Sequence, residues 1–180
     1  RAALVTRADP RQAVGNPGLD CRHQLHLLLD ALAYRAALGL DTYGATVDIT
    51  RAFPSTEQQL AALELHERGV GGRLLRAIVG LTSDVAVCAG VARGQHTAPV
   101  RLGVGLLEGA VLSPRVFAAV VDGLIGALRD SGHGIRVGGT WLGALMLMDD
   151  LVLVASSEGE LRAMLAVVFR WSWRARFGVA

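Results

Sequence analysis

Lysine is absent from this 180-residue chain, so all 18 of its basic residues other than histidine are arginines. Every permanent cation is therefore a planar donor fork suited to phosphate oxygens. A Walker-type phosphate loop needs Gly-Lys-Ser/Thr and is excluded. There are only two cysteines, Cys21 and Cys88, too far apart for a CxxC pair. A disulfide framework is thereby excluded, and a reducing intracellular compartment is the expectation, with nucleus and cytoplasm left open. No apolar run reaches membrane-spanning length without a charge or a glycine-rich break, so no membrane partner is expected. The net charge of +2 gives no strong basic or acidic signal. The chain opens on Arg1 without a methionine or a signal-peptide pattern, and its last residues, 177–180, follow directly on a helical pattern. It reads as a fragment of something longer.

What is present is a globular composition, 52% hydrophobic and 19% charged. The length suits one domain with a real core. Residues 1–19 read as irregular. Asp20 looks like the N-cap of a helix reaching about Leu38 and closed by Gly39, with Leu25, Leu28, Leu29, Leu32 and Ala36 as its stripe. Residues 43–49 read as a buried strand with Asp48 near its end. Ser55 or Thr56 is the expected cap of a helix running to Arg68, with Gln58 or Gln59 completing a capping box. A shorter helix follows over about 72–81. Residues 84–91 and 97–102 look like a hairpin joined by residues 93–96. A glycine-rich loop, 103–109, leads to Ser113-Pro114, a cap followed by proline at a helix start. Apolar residues then recur at helical spacing to Gly132. Residues 134–137 and 140–148 look like strands around Gly138-Gly139, and Ser157 with Glu160 forms a second capping box before a last helix. Irregular alternation of helices and hairpins defines the class as α+β.

The chemistry gathers at Asp149 and Asp150, two adjacent acids inside the apolar run 144–155. Ionised carboxylates in such a run are costly unless they sit at a turn or meet a cation. A tight hairpin with both aspartates at its tip is the simplest geometry. Taken alone, such a pair reads as a solvated turn. Asp48 is a second acid out of place, at the end of Gly44-Ala45-Thr46-Val47. It reads either as a cap of the following turn or as a neighbour of the Asp149-Asp150 tip. In the second case three carboxylates converge, and hard oxygen donors select Mg2+ or Mn2+. A pair of ions about 4 Å apart can clamp the attacking and leaving oxygens of a phosphoryl transfer.

The order of the pieces carries more than any one of them. Val47-Asp48-Ile49-Thr50-Arg51-Ala52-Phe53 resembles the first motif of the reverse-transcriptase palm. Residues 105–114, ending Leu-Ser-Pro, resemble the glycine-rich second motif. Leu147-Met148-Asp149-Asp150 resembles the third, the aromatic-x-Asp-Asp hairpin, and the last helix is similar to the fourth. The nearest flavour is that of non-LTR retrotransposon enzymes, over roughly residues 12–179. The resemblance implies a reverse-transcriptase domain fragment: residues 1–40 part of the fingers, residues 41–180 a palm whose antiparallel sheet carries helices on one face. It implies an RNA-directed DNA polymerase acting on an RNA template, a DNA or RNA primer and deoxynucleoside triphosphates. By the same resemblance Asp48, Asp149 and Asp150 are catalytic and, with the Ile49 carbonyl, ligate two Mg2+ (or Mn2+) ions. Phe53 would exclude a ribose 2′-hydroxyl, Arg51 stands where the family often has lysine, and Glu108 and Gly109 would line the nucleotide and template site.

Several positions depart from the family pattern. Leu147 replaces the usual aromatic residue, Glu108 the usual glutamine, and Pro54 a frequent polar residue; Asn16 stands where relatives tend to carry a basic one. These departures motivate the alternative of a catalytically decayed palm that survives as a nucleic-acid-binding or residual fold. A nucleotidyl cyclase of similar architecture would carry Gly-Gly-Asp/Glu at the acid hairpin, which this sequence does not. Two lesser candidates remain. His23 and His26 share a helix face without a third ligand and read as solvated. Arg170, Arg174 and Arg176 with Trp171 and Trp173 read equally as a nucleic-acid contact and as cations at a helix C-terminus.

Overall fold

A computed structural model describes residues 9–13, 18–83 and 85–180. Asn16, and Asp84 at the start of the expected hairpin, lie outside the described residues. The order is α1 (Cys21–Ala37), β1 (Tyr43–Thr50), α2 (Ala52–Ser55), α3 (Gln58–Glu67), α4 (Gly72–Thr82), then four short strands β2 (Ala86–Val87), β3 (Gly90–Ala92), β4 (Gln95–His96) and β5 (Val100–Arg101). There follow α5 (Ser113–Asp130), β6 (Arg136–Val137), β7 (Thr140–Trp141), β8 (Ala144–Leu147), β9 (Asp150–Ala155), α6 (Glu158–Ala175) and β10 (Gly178–Val179). The α+β class is borne out.

The centre is a four-stranded antiparallel sheet in the order β10-β1-β9-β8. Alternation along the strands gives it two unlike faces. Val47 and Ile49 of β1, Leu151 and Leu153 of β9, and Ala144 and Met146 of β8 join one large core with residues of α3, α4, α5 and α6. Helix α5 is the hub of that core: Phe117, Val120, Val121, Leu124, Ile125 and Leu128 have no exposed surface. Burial of each contributes about 1.5–3 kcal/mol. On the other face Ala31 of α1 packs with Ile135, Leu142, Leu145 and Val154 in a smaller cluster. Gly44, Thr46, Asp48 and Asp150 on that face are exposed. So β1 is half-buried and not, as its composition suggests, buried throughout.

The helix ends show which local signals decided structure. Asp20 caps α1 by accepting from the His23 amide, and Ser157 caps α6 by accepting from the Glu160 amide. Elsewhere the expected caps fail. Thr56 donates its hydroxyl to the Ala52 carbonyl, a short extra helix α2 intervenes, and Glu57 stands at the α3 N-cap without a side-chain bond to the helix amides. Ser113 is already helical and donates to the Leu107 carbonyl. In α1 the inward face is Gln24, Leu28, Ala31 and Arg35, while Leu25, Leu29 and Leu32 of the expected stripe are exposed. Polar anchors outrank leucines here: Arg35 donates to the Thr42 hydroxyl and the Asp41 carbonyl. Finally, the hairpin expected over 84–102 is two short interrupted ladders, β2 with β5 and β3 with β4, with an irregularity between Gly90 and Ala92.

Candidate active site

The acidic hairpin forms one residue off its expected register. Leu147 pairs with Asp150, so the two-residue tip is Met148-Asp149 and Asp150 opens β9. Met148 takes φ +59, a left-handed conformation rare for a side chain of this kind. The reason for the offset is long-range. The Ile49 amide donates to the Asp149 carbonyl at 3.2 Å, which seats the turn against β1. The reciprocal bond from the Asp149 amide to the Ile49 carbonyl is not made, and this leaves that carbonyl open toward the turn.

The β1–β9 register sets Asp48 directly opposite Asp150, on the exposed sheet face. Directly opposed residues have Cβ atoms about 4.5–5.5 Å apart, and like charges there are destabilising. Asp149 joins them from the turn. Among the described residues no salt bridge or side-chain hydrogen bond engages any of the three carboxylates. Backbone topology therefore brings Asp48 to the Asp149-Asp150 pair, about a hundred residues away in sequence, with no ion pair among the described residues to offset their charge. As placed, no three His, Cys, Asp or Glu side chains among the described residues close into a metal-holding group. The donor set itself, carboxylates and one open carbonyl, fits a hard divalent cation. Leu147 lies in the same row, opposite Asp150 and on the same face.

The glycine-rich loop reaches the other end of the first motif. The Gly105 amide donates to the Thr56 carbonyl at 3.0 Å and the Leu106 amide to the Phe53 carbonyl at 2.8 Å. Gln58 Nε2 donates to the Gly105 carbonyl at 3.1 Å. Gly105 has φ +102, and a Cβ there would meet the Pro54 carbonyl oxygen at 2.7 Å. Phe53 is half-buried with its ring 5.2 Å from that of Phe117, so it belongs partly to the core. Arg51, in left-handed conformation at φ 53, is exposed beside it. Glu108 and Gly109 are exposed in the loop, Gly109 at φ +79.

Several of the lesser candidates are engaged elsewhere. His23 pairs with Asp20 at 2.8 Å. Trp171 stacks on Phe177 at 5.6 Å, and Arg176 pairs with Glu57 at 3.0 Å. Trp173 alone of that group's rings is open, 86% exposed. Sequence reasoning missed a buried charge cluster behind the sheet. Arg68 binds Asp122 at 2.8 Å and the Ala119 carbonyl at 2.8 Å, fastening α3 to α5. Burial pushes Asp122 up to about 6, against the opposing pull of Arg68, and pushes neighbouring Glu64 upward as well. The available signal was an aspartate interrupting an apolar helix stripe.

No protein-family profile matches the chain. In solved structures the fold is similar to apo telomerase from Candida tropicalis, truncated from the C-terminal domain, with a TM-score of 0.64, 11% identity, and coverage of 83% of this chain and 31% of that one. It is also similar to telomerase from Candida albicans in complex with a TWJ fragment of telomeric RNA, with a TM-score of 0.62, 14% identity, and coverage of 82% and 28%. The architecture thus resembles the part of these telomerase structures that it covers. More particularly, the sequence is similar to the Retrovirus-related Pol polyprotein from type-1 retrotransposable element R2, 28% identical in Popillia japonica over 79% of this chain. The same polyprotein in Nasonia vitripennis is 29% identical over 85% of this chain. The resemblance to non-LTR reverse transcriptases is borne out. The chain spans only 20% and 16% of the length of these two relatives. Among the described residues no helix is long and apolar enough to cross a membrane.

Proposed function

We propose that the chain is the palm, with part of the fingers, of an RNA-directed DNA polymerase that extends a primer 3′-hydroxyl with deoxynucleotides. The observation that carries this reading is the Asp48–Asp150 pair, directly opposed across β1 and β9 with Asp149 at the adjoining turn and, among the described residues, no ion pair to offset them. A sheet end built this way is a standing cost unless it holds divalent metal. Asp48, Asp149, Asp150 and the Ile49 carbonyl are the groups that would hold Mg2+. Bound there, two such ions supply charge neutralisation for the attacking hydroxyl and the departing pyrophosphate.

The remaining residues position substrate. Phe53 has its backbone held by Leu106 and its ring by Phe117; in this reading its ring edge bars a ribose 2′-hydroxyl by contact. Arg51 offers an exposed guanidinium to the triphosphate, and Glu108 and Gly109 border the template side. A second reading, a decayed palm that binds nucleic acid without chemistry, draws on Leu147. An apolar side chain in the same row as the acids replaces the aromatic surface of the family motif. Primer extension by the full-length protein on poly(rA)·oligo(dT) separates the two. Mg2+-dependent incorporation that disappears in Asp149→Asn supports the polymerase; nucleic-acid binding with no incorporation under any Mg2+ or Mn2+ condition selects the decayed palm.

A further inference from the structure

We infer that Gln12 is a positioning residue for the acidic hairpin, an assignment that rests on the polymerase reading above. Strand β8 is an edge of the four-stranded sheet, and an edge strand leaves a row of backbone groups unpaired. Residues 11–13 fill that row. The Met146 amide donates to the Arg11 carbonyl at 2.8 Å, and the Ala13 amide to the Met146 carbonyl at 3.1 Å, a one-residue parallel bridge at Gln12. From this strap the Gln12 side chain, wholly buried, reaches along the edge, and its Oε1 accepts from the Met148 amide at 3.3 Å. Gln24 of α1 reinforces the same edge, donating to the Arg11 and Met146 carbonyls at 2.7 Å each.

Met148 needs such a hold. Its φ of +59 is a conformation that a non-glycine residue keeps only when its surroundings impose it. Asp149 is the next residue, so the direction of its carboxylate follows from that dihedral. The turn is thus pinned from both sides, by the Ile49 amide on the Asp149 carbonyl and by Gln12 on the Met148 amide. The strap is anchored far from the turn. Asp9 pairs with Arg129 and with Arg11, its amide donates to Asp122 at 3.2 Å, and the Arg11 guanidinium lies 5.5 Å from the Trp141 ring centre. An anchor on α5 is thereby connected to the placement of an aspartate at the opposite end of β8.

Hydrogen-exchange mass spectrometry of the full-length protein, on overlapping peptides that isolate Met148, tests this directly. In the unmodified protein the Met148 amide is protected; rapid exchange there overturns the proposal without any variant. In Gln12→Met, which keeps length and removes the acceptor, Met148 exchange rises about tenfold or more while the β1–β9 amides keep their protection. Gln12→Asn, a methylene short of the turn, gives the same local change with an amide retained. Unchanged Met148 exchange, or faster exchange spread evenly over the sheet, overturns it. In primer extension kcat falls about tenfold or more with KM for the nucleotide nearly constant, the pattern of a displaced catalytic group. If the unmodified protein extends no primer while the exchange result holds, the polymerase reading fails and the role of Gln12 in fixing the hairpin stands.

Discussion

Replacing Gly105 by alanine tests how the glycine-rich loop is seated on the first motif. Two costs add. At φ +102 any side chain is strained, worth about 1–3 kcal/mol. The new Cβ also meets backbone atoms of Pro54, the oxygen at 2.7 Å and two carbons at 3.1 Å. Backbone does not swing aside as a flexible side chain does, so the loop itself must lift. Lifting it stretches the Gly105–Thr56, Leu106–Phe53 and Gln58–Gly105 hydrogen bonds, each contributing about 0.5–1.5 kcal/mol. With the three bonds weakened and not lost, a total of about 2–5 kcal/mol follows, or about 4–20 °C in Tm for a domain of this size. Gly109 is the internal control: its φ is +79, but nothing lies within 4 Å of a Cβ built there. Gly109→Ala bears only the dihedral strain, about 1–2 kcal/mol. Urea unfolding of both variants beside the parent measures the difference. Equal destabilisation of the two would refute the close packing of Gly105 on Pro54 as the cause.

Two other perturbations probe charge. Asp48→Asn removes one of two directly opposed carboxylates; at about 5 Å and an effective dielectric of 20–80 their repulsion is about 0.8–3 kcal/mol before salt screening. The metal-free variant therefore gains about 0.5–1 kcal/mol in thermal denaturation, while Mg2+ raises the Tm of the parent alone; a variant that is less stable without metal contradicts the repulsion. Asp122 holds its proton more tightly folded than unfolded, at about 6 against an ordinary 3.8. Its contribution is fully present below 3.8 and is lost as pH rises through about 6. Against Asp122→Asn, the parent thus loses relative stability between pH 4 and pH 7, whatever the offset from leaving Arg68 without its carboxylate. A pH-independent difference between the two would refute the burial effect.

Much of the fold was legible because its signals were local. The period of α5, the caps at Asp20 and Ser157, and the glycine closing α1 all act within a few residues. The candidate site was suggested by motif order, since Asp48, the glycine loop and the Asp-Asp pair follow one another in the order that the resemblance implies. What was missed depends on distant partners. The hairpin tip shifted by one residue because Ile49 fixes Asp149, and nothing in the sequence marks Met148 for a left-handed dihedral. Gln12 gave no sign of its role, since its partner lies 136 positions away. The inward face of α1 was misread because Gln24 and Arg35, polar by type, are satisfied by carbonyls and a hydroxyl of neighbouring segments.

A two-metal site at the end of β1 and the β8–β9 turn is open to direct measurement. Mn2+ binding to the full-length protein, with chain-terminated primer, RNA template and a deoxynucleotide, can be read by electron paramagnetic resonance. Two ions close enough to couple magnetically are expected, with the coupled signal lost in both Asp48→Asn and Asp149→Asn. Mn2+ binding that is unchanged by both substitutions would contradict such a site.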